Sequence, residues 1–226
     1  MTYANLLDRI IEHGRYERPE GTDMWAIRSV RPDFRSHYRY RWPFPGQWAD
    51  APGPIDEHNH GPCPSDVGDG LCVSTTWAGM ASGGIPAHTL LLCAINTDDA
   101  LSSVSSDKIR VRRAHVVDVV DGVWALAAFG RKANLTKGLF RDLCLRGIYF
   151  DRSNLPHASF CRSHVGWASF REANVFGTDF DGANVCGADF RDSNVHEAKI
   201  HGAIYDDETL WPDGFDPVAA GAVKAA

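Results

Sequence analysis

From Leu135 to Tyr205 an apolar or aromatic side chain returns at every fifth residue: Leu135, Phe140, Leu145, Phe150, Leu155, Phe160, Val165, Phe170, Val175, Phe180, Val185, Phe190, Val195, Ile200 and Tyr205. Two residues before each stands a mostly small one, among them Ala133, Gly138, Ser153, Ala158, Thr178, Ala183 and Ala203. The residues between are polar, charged or glycine, with Trp167 and Phe176 among the few exceptions. A period of five fits neither the 3.6-residue turn of an α-helix nor the two-residue alternation of a strand. Either would scatter these side chains over both faces. A chain that turns through about a right angle every five residues would point them all inward.

Ahead of the repeats the pattern changes. ANLLDRIIEHG, ending at Gly14, sets Leu6, Leu7, Ile10 and Ile11 on one helical face and predicts a short amphipathic helix. MWAIRSV, HTLLLCAI and IRVRRAHVVDVV read as strands, the second buried on both faces, and TDDALSSV as one or two helical turns capped by Thr97. Residues 43–70 concentrate Pro and Gly and read as largely loop. In DGVWALAAFGRK the apolar Val123, Trp124, Leu126 and Phe129 are expected to cover the start of the repeat region. The organisation is then an α+β domain over 1–125, a linker and N-terminal cap over 126–132, the repeats over 133–207, and a C-terminal cap and tail over 208–226. Trp211 and Phe215, in a turn punctuated by Pro212 and Gly214, are expected to plug the end of the rod, with the final VAAGAVKAA frayed or weakly docked.

The segments ANLTK, ANVFG, TDFDG, ANVCG and ADFRD resemble the repeats of the pentapeptide-repeat proteins. The resemblance runs from Ala133 to Asp207. It implies a mainly β chain in which a right-handed quadrilateral β-helix, four pentapeptides to a coil and just under four coils long, follows the small α+β domain. Residues twenty apart would then stack. Phe140, Phe160 and Phe180 would form one inner column, Phe150, Phe170 and Phe190 the opposite one, and the aliphatic residues would fill the other two walls.

Composition adds limits. The net charge of −6 excludes a strongly basic nucleic-acid binder, so direct nucleic-acid binding is not expected. No apolar run reaches the roughly 20 residues that cross a bilayer. Six scattered cysteines and no basic-then-apolar leader point to reduced thiols in the cytoplasm. His58, His60, Cys63 and Cys72 are weak candidates for a structural zinc site, set against a plain polar loop. Arg28, Arg31, Arg35, Arg39 and Arg41 interleave with Phe34, Tyr38, Tyr40 and Trp42. That mixture suits phosphate contact, but equally an amphipathic strand. Ser74, Thr75 and Thr76 faintly resemble a strand of ADP-ribosyltransferase-type folds, yet residues 70–171 contain no Glu to serve as the acid. The N-terminal region also loosely resembles an uncharacterised domain of phage and actinobacterial proteins. Cys161 and Cys186 read as outward-facing bystanders.

Function is expected on the outside of the rod, and three readings stand. The first is a non-catalytic protein–protein interaction module with an unknown protein partner, no cofactor, and an open oligomeric state that includes a dimer. The second comes from the resemblance: some pentapeptide-repeat proteins imitate duplex DNA on type II topoisomerases such as gyrase. Residues 133–172 carry six bases and three acids, whereas residues 173–207 carry two bases and seven acids: Asp179, Asp181, Asp189, Asp192, Glu197, Asp206 and Asp207. These acids are the candidate interaction surface. A rod about 18 Å long, at ~4.8 Å per coil, imitates only about five base pairs. The third is a phage-associated accessory protein, host-directed or part of a virion.

Overall fold

The computed structural model describes residues 3–36, 40–53, 55, 70–81 and 83–226. In chain order its elements are α1 (Leu6–Gly14), β1 (Met24–Val30), β2 (Gln47–Asp50), β3 (Leu71–Val73), α2 (Trp77–Ala81), β4 (Thr89–Ile95), β5 (Ile109–Val111), β6 (Arg113–Asp121), α3 (Gly122–Phe129), β7 (Ile204–Tyr205) and β8 (Val223–Lys224). They divide between two compact units: Ile11–Gly122, and Met1–Ile10 together with Val123–Ala226.

The first unit is an antiparallel sheet in the order β1-β4-β6-β2, accompanied by the β3-β5 pair. β4 lies between β1 and β6, and Leu90 to Ile95 are all buried, as expected of an apolar run with both faces covered. One face packs Ala26, Val30, Leu91, Cys93, Ile95, Ala114 and Val116 against Leu71, Val73, Ile109, Val111 and Trp42. Two expectations need correction here, and one is sharpened. IRVRRAHVVDVV is two strands, not one. The chain breaks at Arg112, whose N–H donates to the Asp99 carbonyl at 2.9 Å, so that β5 and β6 join different sheets. The short helical turn at 97–99 is capped by Asn96, which accepts the Asp98 N–H, while Thr97 is held instead by the Asp23 carboxylate. And the Pro/Gly-rich 43–70 region contains a strand, β2, paired along β6.

In the second unit the five-residue period becomes a corner. Each carbonyl of a central residue accepts the N–H three residues on, as in Gly138 N–H to Leu135 O at 2.9 Å and Ala173 N–H to Phe170 O at 3.0 Å. In most corners the residue two past the centre has positive φ, the signature of a type II turn; Gly147, Gly177, Gly182, Gly187 and Gly202 occupy it, but so do Lys137, Arg152, Arg162 and Trp167, and the corner at Val195 is instead a 3-10 turn over Val195–Glu197. Residues twenty apart pair in parallel, Asn134 with Asn154 and Asn174 being one series and Cys144 with His164 and Asn184 another. Four corners therefore close each coil.

Inside, the two phenylalanine columns form as expected. Phe160 and Phe180 stack at 5.1 Å between ring centres, Phe170 and Phe190 at 5.0 Å, and the columns meet edge to face across the axis, as in Phe170–Phe180 at 5.4 Å. All six rings are fully buried. Both arrangements are favoured aromatic geometries, so one residue type serves two opposite walls of the core while buried Leu and Val side chains line the other two.

Both ends of the repeat region carry added strands. Residues 3–10, which the sequence groups with 1–125, pack in this unit: the Ala4 N–H donates to the Lys132 carbonyl at 2.9 Å and the Ala4 carbonyl accepts the Asn134 N–H at 3.0 Å. Leu6, Leu7 and Ile10 are buried, and the Arg9 guanidinium binds the carbonyls of Phe129 and Arg131 at 2.6 and 2.7 Å. α3 buries Ala125 and Leu126, but Trp124 remains 44% exposed rather than covering the first coil. At the far end the expected frayed tail is ordered. β8 pairs in parallel with β7, because Val223 and Ala225 donate to the Ala203 and Tyr205 carbonyls at 2.8 and 2.7 Å. Lys224 reaches Asp207 at 2.5 Å.

Candidate interaction face

Parallel pairing at twenty residues assigns every outward side chain to one of four faces, named here by their first central residue. On the Leu135 face Asn134, Asn154, Asn174 and Asn194 form an amide ladder, each Nδ2 donating to the previous Oδ1 at 2.9–3.3 Å. On the Phe140 face Arg162 grips Asp142 through two nitrogens at 2.9 and 3.0 Å. On the Phe150 face Arg131 holds Asp151, Arg152 holds Glu172, Arg171 holds Asp192 and Arg191 holds Asp189, at 2.6 to 3.2 Å. Isolated exposed pairs contribute little to stability. Their consequence is that these faces offer few free charges.

The seven candidate acids are not brought together. Asp179 and Asp181 sit on the Phe140 face, Asp189 and Asp192 on the Phe150 face, Glu197 on the Leu135 face, and Asp206 and Asp207 on the Leu145 face. Most are engaged within the chain. Asp189 and Asp192 bind arginines, Asp207 binds Lys224, Asp181 faces His201 at 3.5 Å, and Glu197 accepts from Asn194 at 3.1 Å. Asp206 is half-buried; although burial opposes its charge, the Gly187 N–H and the Thr209 hydroxyl hold its carboxyl below the usual range.

The Leu145 face differs. A cleft of about 300 Å3 is cut into it, lined by Cys144, Arg146, His164, Gly166, Trp167, Asn184 and Cys186. Its cause is local. Along the row one residue past the centre the order is Arg146, Gly166, Cys186, and the middle rung has no side chain. The floor is therefore backbone. Trp167 forms one wall: it is 52% exposed, and its indole lies over Gly187, where a Cβ would come within 2.7 Å of the ring. Burial pushes the Cys186 thiol pKa upward, with Asp206 adding to the effect, so this sulfur stays protonated at neutral pH.

The backbone donors also vary along the rod. In several repeats an Asn or Asp just before the central residue accepts the N–H two residues on, as Asn174 does from Phe176, Asp179 from Asp181 and Asn184 from Cys186, whereas repeats with Tyr149, Ser159 or Ser169 there have no such acceptor. In the cleft the corresponding residues are Cys144 and His164, and neither caps the N–H of Arg146 or Gly166. Sequence reasoning missed this site because outward positions show no period. The available signal was SHVGW, which has His164 just before the central Val165, Gly166 just after it, and Trp167 at the corner position.

The remaining candidates stand apart. His58, His60 and Cys63 lie outside the described residues, while Cys72 is buried in β3. Among the described residues no group of three or more His, Cys, Asp and Glu is placed to hold a metal. The Ser74 hydroxyl is buried and bonded to the carbonyls of Thr76 and Asp107, and Thr76 Oγ1 donates to the Asp107 carboxylate at 3.1 Å. Of the arginine-rich stretch, Arg28 is buried with one nitrogen 3.0 Å from the Cys72 carbonyl, and Trp42 is buried edge-on to Tyr40. Tyr38 and Arg39 lie outside the described residues. Cys161 and Cys186 occupy different faces. No helix among the described residues is long and apolar enough to cross a membrane.

Residues 168–204 match the family described as Pentapeptide repeats, in eight copies. Among solved structures, the chain is similar to alr5209, a pentapeptide repeat protein from Nostoc Pcc 7120, at 24% identity over 42% of this chain and 83% of that one, with a TM-score of 0.32. It is also similar to Rfr23, a pentapeptide repeat protein from the cyanobacterium Cyanothece 51142, at 19% identity over 36% and 65%, with a TM-score of 0.24. No curated protein matches. The five-residue corners and the twenty-residue pairing give the repeat region the geometry of a β-helix, and residues 168–204 within it match the pentapeptide-repeat family.

Proposed function

We propose that this protein is a non-catalytic interaction module, in which a right-handed pentapeptide β-helix presents its Leu145 face to a protein partner. The observation that carries the reading is the contrast between faces. The Leu135 and Phe150 faces are spent on amide and ion-pair ladders, whereas the Leu145 face combines a cleft, an exposed tryptophan, and the Arg146 and His164 side chains, which have no partner among the described residues. Rigid aromatic residues beside a concave surface are the usual anchors of protein interfaces. In the other unit, Ser74 is committed to holding its own turn, which favours a structural role for the hydroxyls at 74–76.

Imitation of DNA on a type II topoisomerase needs carboxylates free to stand in for phosphates. Asp189, Asp192 and Asp207 are held by Arg191, Arg171 and Lys224, so the acidic C-terminal coils favour that reading less than their sequence suggests.

Photo-crosslinking from a light-activated residue placed at Cys144 or, on the Phe140 face, at Cys161 tests the proposal. A protein partner captured from position 144 and not from 161 supports it. Equal capture from both, or capture from 161 alone, contradicts it.

A further inference from the structure

Arg146 is set apart from the other outward arginines of the rod. Arg131, Arg152, Arg162, Arg171 and Arg191 each hold a carboxylate of the chain, whereas Arg146 lines the cleft with no hydrogen-bond or ion-pair partner among the described residues. Around it the cleft offers donors and few acceptors. The N–H groups of Arg146 and Gly166 lack the Asn or Asp cap found at Phe176, Asp181, Cys186 and Arg191. The His164 ring is likewise without a partner among the described residues. A guanidinium, outward peptide N–H groups and an imidazole around one depression form a site for an anion.

Two further facts narrow the anion. The site holds one guanidinium, and its own face carries Asp206 one coil beyond the cleft residue Cys186, with Asp207 next to it, so a single negative charge matches it better than a dianionic phosphate. The Trp167 indole, half exposed and laid over Gly187, supplies a flat apolar wall beside that charge. We infer that the cleft binds a carboxylate carried next to a flat apolar group, supplied by an extended segment of the protein partner with Asp or Glu adjacent to an aromatic residue. This inference rests on the proposal that the Leu145 face is the recognition face and adds the chemistry it recognises. The carboxylate would pair with the guanidinium of Arg146 over the backbone floor at Gly166, with the neighbouring ring against Trp167.

The test is a titration of the full-length 15N-labelled protein with the capped peptide acetyl-Gly-Glu-Phe-Gly-amide, followed by the amide signals of Arg146 and Gly166 and the indole signal of Trp167. The Gln peptide of the same shape and plain acetate serve as comparisons. The expected result is saturable shifts confined to these signals, with the Gln peptide binding at least about fivefold more weakly and Arg146→Gln weakening the Glu peptide by a similar factor. Trp167→Gly should also weaken binding while preserving the dispersed spectrum of the repeats, because the corner it occupies has φ of 60° and accepts glycine without strain. Equal binding of the Gln peptide, equal effect of acetate, shifts located on another face, or no shift at millimolar peptide would each overturn the inference. If it is overturned while crosslinking from position 144 still captures a partner, the recognised chemistry is wrong and the recognition face stands.

Discussion

Trp211 lies flat on Phe190, with ring centres 5.1 Å apart and planes 6° from parallel. It continues the column Phe150, Phe170, Phe190 beyond the last regular repeat, although the pairing of Asp189 with Leu210 spans 21 residues instead of 20. Tyr205 and Phe215 then meet the Trp211 ring edge-on and tilted, at 5.9 and 5.0 Å. Trp211→Ala removes this lid from the core. Because the indole is only partly buried, the expected loss is about 2–3 kcal/mol, somewhat below that for a fully buried aromatic residue. Chemical denaturation measures it, and hydrogen exchange should rise first in β7 and β8.

Phe170 touches Phe150 and Phe190 in its own column and Phe160 and Phe180 across the axis. Phe170→Ala leaves a cavity that rigid coils above and below cannot collapse into, and should cost about 3–5 kcal/mol. Phe170→Leu should recover much of that loss. Equal stability of the two variants in urea would show that the column does not bear the packing described.

The two left-handed glycines Gly147 and Gly187 separate backbone strain from contact. At Gly147 an added methyl meets nothing within 4 Å, whereas at Gly187 it would press on the Trp167 ring. Gly147→Ala should therefore cost about 1 kcal/mol for the left-handed backbone alone. Gly187→Ala should cost more and also shift the Trp167 indole signal, which nuclear magnetic resonance reports directly.

In the first unit the Tyr16 hydroxyl donates a short hydrogen bond to Asp118. Burial, and then the Asp118 carboxylate, push the Tyr16 pKa up to about 12. The raised value means that the folded state holds the phenolic proton more tightly than the unfolded chain does. Its contribution is complete below the unfolded value near 10 and is lost as pH rises from about 10 to about 12. Stability measured across this window should fall in the native protein, and the part of that fall due to Tyr16 should vanish in Tyr16→Phe.

Much of the rod was legible because its interior is strictly periodic: Leu135, Phe140 and their successors are apolar since every one of them points at the axis. The capping elements were not. Ala4 pairs with Ala133 and Val223 with Ile204 through backbone hydrogen bonds, which leave no mark on residue type. Asn194 illustrates the same limit, since its side-chain oxygen, not a backbone carbonyl, accepts the Val175 N–H at 2.7 Å. The acids were visible as a group in sequence but not as individual ion pairs, because partners such as Arg171 and Asp192 sit about one coil apart. The cleft was hidden for a related reason: it arises where a side chain is missing, at Gly166, between rungs separated by twenty residues.

The central claim is that recognition runs through the Leu145 face. It is tested most directly by the affinity of the crosslinked partner for two variants, each losing one exposed aromatic residue: Trp167→Gly on that face and Phe176→Ala on the Leu135 face. The account predicts that Trp167→Gly weakens binding by about tenfold or more, as loss of an interface anchor does, and that Phe176→Ala changes it by less than about twofold. Unchanged affinity in Trp167→Gly, or a larger loss in Phe176→Ala, would contradict it.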